Sequence, residues 1–264
     1  MGLLSFAFFV LLAASLHFFA YSKGYFRLPY QALAVKGHVS GKITLLAFAL
    51  YWIIALFAGY VLPAVPLSLY AFQLFVLLLI LALLYLLTFK ENLWKQQKQT
   101  SRLFDWALGL ATWFLSFPLV TAIGELADWL LSQFFGAQTY EQTAVRFLKK
   151  AAEMNLSLVI AFVTIVVLAP LVEELLFRGI LQSYLKSKLG AKAAILLSAF
   201  TFSLFHFSPS QGLGNVSLCL SLLILGCYLG FLYERQRSLF ASLGLHMTFN
   251  TVSTLRILLA PETA

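Results

Sequence analysis

Residues 155–185 read NLSLVIAFVTIVVLAPLVEELLFRGILQSYL, an apolar stretch that is interrupted by the charged segment EELLFR at residues 173–178. A helix that crosses the hydrocarbon core of a bilayer needs roughly 20 apolar residues, and this stretch is longer than that. It therefore predicts a transmembrane helix. A charged group at the centre of such a helix costs roughly 2.5–3.5 kcal/mol on insertion scales, so the charges in this segment are candidates for a functional site.

The rest of the chain also has the composition of a membrane protein. Of its 264 residues, 61% are hydrophobic and 11% are charged, whereas soluble domains carry about 25% charged residues. We therefore expect an all-α fold, a polytopic transmembrane helix bundle of about eight spans. The predicted spans lie near residues 2–21, 43–63, 66–89, 104–132, 155–185, 191–207, 214–233 and 238–259.

The net charge of +8 does not indicate a nucleic-acid-binding protein, because 13 of the 18 Lys and Arg residues fall in four short clusters between the apolar stretches. The clusters are Lys23, Arg27, Lys36 and Lys42; Lys90, Lys95, Lys98 and Arg102; Lys186, Lys188 and Lys192; and Arg235 and Arg237. Loops rich in Lys and Arg are retained in the cytoplasm. We therefore predict a multi-pass protein of a bacterial plasma (inner) membrane with both termini outside.

One predicted external segment, residues 133–153, departs from this charge pattern because it contains Arg146, Lys149 and Lys150. Its apolar residues, among them Leu148 and Ala151, follow helical spacing. The segment therefore predicts an amphipathic helix that lies in the membrane interface.

The charged segment of the fifth predicted span contains two glutamates with different surroundings. Glu174 and Arg178 are four residues apart on one helical face, where they can form an ion pair. Glu173 is rotated by about 100° from Glu174 and needs a different partner. Pro170 lacks a backbone N–H group, so we expect it to kink the helix near the pair.

Two further predicted spans carry polar side chains at a similar depth. Phe202 and His206 end the sixth span, and His246 and Asn250, again four residues apart, lie in the eighth. Counting about 1.5 Å per residue from the flanking positive charges places Glu173, His206 and Asn250 about 20 Å deep, and His246 about 14 Å deep. Three helices therefore bring their polar groups to nearly one layer.

These residue types are suited to hydrolysis. A carboxylate and an imidazole can hold a water molecule and remove its proton, which makes them a general base. A second imidazole, with a carboxamide on the next turn, can donate hydrogen bonds to the oxyanion that forms on a carbonyl. No serine or cysteine with a suitable base stands out, so the pattern favours direct attack by water.

The three motifs resemble the signature motifs of the CPBP family of intramembrane proteases, which includes the type II CAAX prenyl endopeptidases and the bacteriocin-processing Abi proteins. The motifs are Glu173-Glu174 followed by Arg178, Phe202 followed by His206, and His246 followed by Asn250. The resemblance divides the chain into N-terminal membrane helices with an interfacial segment, residues 1–150, and CPBP/CAAX-protease-like catalytic helices, residues 151–264.

The resemblance implies an intramembrane endopeptidase of the glutamic type, without a metal or another cofactor. In such an enzyme Glu173 and His206 activate the catalytic water, His246 and Asn250 form the oxyanion hole, and Glu174, Arg178 and Phe202 support the site and the substrate channel. The expected partners are a CAAX-like or membrane-associated peptide or protein substrate and the lipid bilayer, with no nucleic acid. We expect the site to be accessible from the cytoplasmic side.

Three alternatives stay open from the residues alone. His206, His246 and a glutamate can bind zinc, which would make the protein a zinc-dependent membrane hydrolase, although no HExxH helix is present and Asn250 would have no role. The buried glutamates and histidines can instead relay protons in a transporter, although no internal repeat is detected. The third alternative is a scaffold without turnover.

Overall fold

The structure is a computed structural model that describes residues 3–29, 39–60, 66–88, 101–136 and 142–259. Within these ranges the chain forms helices and contains no strand, which confirms the predicted all-α class. In chain order the helices are α1 (Leu3–Ser22), α2 (Gly41–Tyr60), α3 (Pro66–Thr88), α4 (Arg102–Phe135), α5 (Thr143–Ala152), α6 (Asn155–Leu189), α7 (Ala191–Leu204), α8 (Gly214–Gln236) and α9 (Leu239–Leu259).

Six of these helices, α1, α2, α3, α4, α6 and α8, are long and apolar enough to cross a membrane. The α7 helix has 14 residues, which gives about 21 Å of helix, less than the bilayer's hydrocarbon thickness of about 30 Å. The α9 helix has 21 residues, but polar side chains such as His246 and Asn250 dilute its apolar stretch. The protein is a helical membrane bundle, as predicted, whereas the predicted number of eight spans is not confirmed.

The long helices differ in how much of their surface the protein itself covers. In α4, α6 and α8, 39% of the most apolar stretch is buried, compared with 11% to 17% in α1, α2 and α3. Helices α1, α2 and α3 expose large apolar side chains such as Phe18, Leu45 and Leu86. They therefore form the lipid-facing periphery, and α4, α6 and α8 form the centre.

Positively charged residues from several predicted clusters meet at one end of the bundle. Lys186, near the end of α6, pairs with Glu234 of α8 at 2.5 Å. Arg235, at the end of α8, stacks at 4.4 Å on the ring of Tyr25, which follows α1. Their position at one end of the bundle agrees with the prediction that the clusters lie on one side of the membrane. Four members of the clusters lie outside the described residues: Lys36, Lys90, Lys95 and Lys98.

The short helix α5 confirms the predicted helical segment, but its apolar side packs on protein. Leu148 and Ala151 are buried, and the Tyr70 hydroxyl of α3 donates a hydrogen bond to the carbonyl of Phe147 at 3.2 Å. Arg146 donates to the Ser210 hydroxyl at 2.9 Å. The apolar residues of α5 thus anchor the helix to α3 and to the segment after α7.

The α6 helix departs from α-helical hydrogen bonding in a π-helical segment, Thr164–Leu168. In this segment the N–H of Ala169 donates to the carbonyl of Thr164, five residues back. The next carbonyl in the same register is that of Ile165, whose partner would be Pro170, which has no N–H. The helix is therefore interrupted where the proline predicts it, and such π-bulges are frequent at functional sites.

Candidate active site

Glu173 of α6 lies between two histidines that come from other parts of the chain. Its Oε2 is 3.5 Å from Nε2 of His246 on α9 and 3.9 Å from Nε2 of His206, in the turn after α7. These distances are longer than a direct hydrogen bond of 2.7–3.2 Å. The side chains of Glu173 and His206 remain 20% and 31% exposed, whereas that of His246 is 4% exposed. The carboxylate thus faces one buried and one accessible imidazole.

The orientation of His206 is set by its own helix. Its Nδ1 lies 2.9 Å from the carbonyl oxygen of Phe202, one turn earlier. A carbonyl can only accept a hydrogen bond, so Nδ1 carries the proton and donates. In the neutral imidazole Nε2 is then an acceptor with a free lone pair. That nitrogen is the one that faces Glu173.

Glu174 occupies a different environment from its neighbour Glu173. It is fully buried, and its Oε1 accepts hydrogen bonds from Nη1 of Arg178 at 2.9 Å and from Nδ1 of His246 at 2.8 Å. The ion pair between Glu174 and Arg178 agrees with their spacing of four residues. The bond to His246 was not predicted. Glu174 therefore holds the ring of His246 with its Nε2 directed at Glu173.

Arg178 completes this buried group from within a second π-helical segment, Glu174–Gln182. Its Nη2 donates to the carbonyl of Gly226 on α8 at 3.4 Å. A Cβ atom at Gly226 would meet Ala199 of α7 at 2.9 Å, so the absence of a side chain lets α7 and α8 approach closely. Close approach of α7 and α8 thus helps to position the arginine.

The ring of Phe202 packs against both histidines and the arginine of the site. Its centroid lies 4.8 Å from that of His206 and 5.7 Å from that of His246, with steeply inclined planes. The guanidinium of Arg178 lies 4.4 Å from the same ring, within the range of a cation–π contact. The phenyl ring, which is fully buried, therefore fixes the separation between the two imidazoles.

Asn250 lies one turn after His246 and interacts with the π-bulge of α6. Its Nδ2 donates to the carbonyl of Ile165 at 2.9 Å. This is the carbonyl that Pro170 leaves without a partner in the π register. An amide nitrogen has two hydrogens, so a second N–H is available after this bond. The side chain is half-buried.

Aromatic residues of α2 surround the turn that carries His206. The sequence did not indicate that these residues would lie near the site. The ring of Phe205 lies 5.0 Å from that of Tyr51 and 4.9 Å from that of Trp52. Phe48 of the same helix packs against Phe177 at 5.7 Å. The apolar composition of α2 gives no signal for this role, because the contacts depend on where α2 packs.

The bond between Glu174 and His246 joins residues that are 72 positions apart. The sequence did contain a partial signal for it, because both glutamates lie at a depth that His246 can reach. Helical spacing instead assigned Glu174 to Arg178 alone, and the structure shows that one carboxylate oxygen serves both. Within the described part of the chain no group of three or more His, Cys, Asp or Glu side chains has an arrangement that could hold a metal ion.

The fold and this site define a class: a helical integral membrane protein with glutamate and histidine side chains gathered between its central helices. Residues 155–252 match the model of a family described as type II CAAX prenyl endopeptidase Rce1-like. The matched range includes all seven of the predicted site residues. No curated protein and no solved structure gives a match.

The family match confirms the resemblance to the CPBP family that the three motifs carry. It also supports a CAAX-type endopeptidase activity in general terms. The roles of the individual residues are proposals that rest on the geometry of the site.

Proposed function

We propose that this protein is an intramembrane endopeptidase in which Glu173 and His206 activate a water molecule for direct attack on a peptide carbonyl. The observation that carries the proposal is the position of Glu173, 3.9 Å and 3.5 Å from the Nε2 atoms of His206 and His246. Among the described residues this carboxylate makes no direct hydrogen bond, and it lies beside an accessible imidazole.

The attacking water would lie between Glu173 and His206. The two polar atoms are 3.9 Å apart, and polar groups separated by more than about 3.5 Å can be bridged by a water molecule. The water donates one proton to the carboxylate and the other hydrogen bond to Nε2 of His206, and its oxygen forms a bond to the carbonyl carbon. When the tetrahedral intermediate collapses, the C–N bond breaks and Glu173 returns the proton to the leaving amine.

His246 would stabilise the negative charge on the carbonyl oxygen. Its Nδ1–H is bound by Glu174 at 2.8 Å, so donation from Nε2 requires the imidazolium form. Two carboxylates, Glu173 and Glu174, lie 3.5 Å and 2.8 Å from this ring and would balance the positive charge of that form. In a site that excludes bulk water, such a donor stabilises the charge of the transition state more strongly than it would in solution.

Asn250 would add the second donor to the oxyanion through its remaining N–H. Its bond to the Ile165 carbonyl at 2.9 Å holds the amide on the side of α9 that faces α6. The same bond ties the oxyanion site to the π-bulge, so the backbone of α6 would contribute to positioning the donor.

We assign the catalytic helices to residues 151–264 and a supporting role to the membrane helices of residues 1–150. The proposed substrate is a CAAX-like or other membrane-associated peptide. We further propose that the charged end of the bundle faces the cytoplasm of a bacterial cell, with both termini outside and with access to the site from the cytoplasmic leaflet.

The function can be tested by comparing the membrane proteomes of cells that produce the wild-type protein or Glu173→Ala, with a search for new C-terminal ends. We expect peptides that end at a common type of position only in the wild-type sample. Identical sets of C-terminal ends would contradict a protease function and would favour a scaffold.

The purified protein separates the glutamic mechanism from the zinc alternative. We expect cleavage of an identified peptide to continue after exhaustive treatment with a chelator. Loss of cleavage on chelation, with recovery on addition of Zn²⁺, would assign Glu173, His206 and His246 as metal ligands instead.

A further inference from the structure

A cavity of about 200 Å³ lies between α1 and α4, on the lipid-facing periphery and away from the candidate active site. Leu16, Phe19 and Ala20 of α1 form one wall, and Leu108 and Ala111 of α4 contribute to the other. Ligand pockets for drug-sized molecules measure roughly 300–1,000 Å³. A narrow apolar groove of this size fits a segment of hydrocarbon chain.

The polar end of the groove is formed by Tyr25 and Thr112. At Gly24 the backbone adopts a φ of 68°, which ends α1 and turns the next residue back toward the helix, where the N–H of Tyr25 donates to the carbonyl of Ala20. The hydroxyls of Tyr25 and Thr112 are 2.6 Å apart. Burial raises the pKa of Tyr25, so the phenol closes the groove without adding a charge.

Positive charges surround this polar end. The guanidinium of Arg235 stacks on the Tyr25 ring at 4.4 Å, and its buried Nη1 has no hydrogen-bond partner among the described residues. The ammonium of Lys23 lies 5.7 Å from the ring of Phe19, which lines the groove. Arg27 is exposed two residues beyond Tyr25. No ion pair with a carboxylate is found for these three cations in the described part of the chain.

We infer that this groove binds one anionic phospholipid, with an acyl chain between α1 and α4 and the phosphate among Lys23, Arg27 and Arg235. The apolar walls and the unpaired cations are complementary to the two halves of such a lipid. Basic residues next to a membrane helix attract anionic headgroups, and the guanidinium group is suited to bidentate recognition of phosphate. The groove lies at the charged end of the bundle, which is the level at which a headgroup would be found.

Native mass spectrometry of the full protein in detergent tests this inference with two probes, phosphatidylglycerol and phosphatidylcholine of identical acyl chains. We expect the wild type to retain one phosphatidylglycerol molecule in preference to phosphatidylcholine. Each basic residue near the surface contributes roughly fivefold to the attraction. The double substitution Lys23→Gln with Arg27→Gln should therefore weaken phosphatidylglycerol binding by about twentyfold and leave phosphatidylcholine binding almost unchanged.

A second variant tests the apolar half of the site. Ala111→Phe places a large side chain in the groove and should reduce the binding of both lipids. Leu110→Phe, at an exposed position of α4 that does not line the groove, is its control and should leave binding unchanged. Lys188→Gln with Lys192→Gln removes two exposed charges elsewhere and serves as the control for charge. Variants are compared only if their thermal unfolding matches that of the wild type.

Three results would overturn the inference. The first is equal retention of the two lipids by the wild type. The second is a loss of lipid binding in the control variants as large as that in the test variants. The third is retention of a farnesylated peptide in competition with phosphatidylglycerol and its loss in Ala111→Phe, which would assign the groove to a substrate.

Discussion

Two groups of buried charges join α6 to its neighbours. They differ in whether every carboxylate oxygen accepts a hydrogen bond. Near the charged end of the bundle, Glu234 accepts hydrogen bonds from Lys186 at 2.5 Å and from Gln182 at 3.1 Å, so both of its carboxylate oxygens are satisfied. In the candidate site, Glu174 shares one oxygen between Arg178 and His246, and no hydrogen bond to its Oε2 is found among the described residues.

The larger difference between the two groups concerns the residue next to Glu174. Its neighbour Glu173 makes no direct hydrogen bond in the described part of the chain and remains 20% exposed, next to His206, which is 31% exposed. In the group around Glu234, by contrast, both carboxylate oxygens accept hydrogen bonds. A buried ion pair alone is therefore weak evidence for function, whereas an ion pair that orients an unsatisfied acid–base pair is the arrangement a catalytic site needs.

The largest effect is expected for Glu173→Gln, which keeps the shape of the side chain and removes its ability to accept a proton. General acid–base groups contribute about 10²–10⁴-fold to rates, so we expect turnover to fall by an amount within that range. The measurement is the initial rate of peptide cleavage in proteoliposomes. Near-wild-type turnover would show that another group activates the water.

The next largest effect is expected for His246→Ala, which removes the proposed oxyanion donor. Loss of one such donor lowers kcat by about 10²–10³-fold. We expect the loss to appear in kcat, with KM little changed, because the hydrogen bond forms in the transition state. A rise in KM without a fall in kcat would instead assign His246 to substrate binding.

A smaller and more specific effect is expected for Glu174→Gln. The amide oxygen can still accept from Nδ1 of His246, but the negative charge that stabilises the imidazolium is lost. We expect turnover per folded molecule to fall by about tenfold, which corresponds to about 1.4 kcal/mol of lost stabilisation. The variant should also unfold at a lower temperature, because the fully buried Arg178 loses its counter-charge.

The turnover per folded molecule separates an electrostatic role of Glu174 from a packing role. A lower turnover at a temperature where the variant is fully folded supports the electrostatic role. Unchanged turnover per folded molecule, together with a lower unfolding temperature, would mean that Glu174 only maintains the fold.

The smallest effect on activity is expected for Glu234→Gln in the other group of charges. Removing one partner of a buried ion pair destabilises a protein by about 3–5 kcal/mol, because Lys186 is left without a counter-charge. We expect a lower thermal unfolding temperature and an unchanged turnover per folded molecule. A loss of turnover at a temperature where the variant is fully folded would extend the catalytic network to this end of α6.

The sequence predicted those contacts of the site that follow from spacing within one helix or from the depth of a residue in the membrane. The spacing of Glu174 and Arg178 predicted their ion pair, and depth counting predicted that Glu173, His206 and His246 would lie close together. The sequence did not predict the bond between Glu174 and His246, because it depends on how α6 and α9 rotate against each other.

The backbone of α6 and the number of spans show the same limit of prediction from the sequence. Pro170 predicted an interruption, but not that the carbonyl of Ile165 would be the one bound by Asn250. Hydropathy predicted helices at all eight positions, but α7 is too short, and α9 too polar, to count as spans by length and apolar character. Packing among central helices can offset such deficits, and packing is not visible in a single sequence.

The most direct test of the account compares Glu173→Gln and Glu234→Gln in the same proteoliposomes, with cleavage rate and thermal unfolding measured on each sample. We predict opposite patterns: Glu173→Gln loses cleavage and keeps the wild-type unfolding temperature, and Glu234→Gln keeps cleavage and unfolds at a lower temperature. If both variants lost cleavage in proportion to a loss of stability, Glu173 would be a structural residue, and the proposed mechanism would be contradicted.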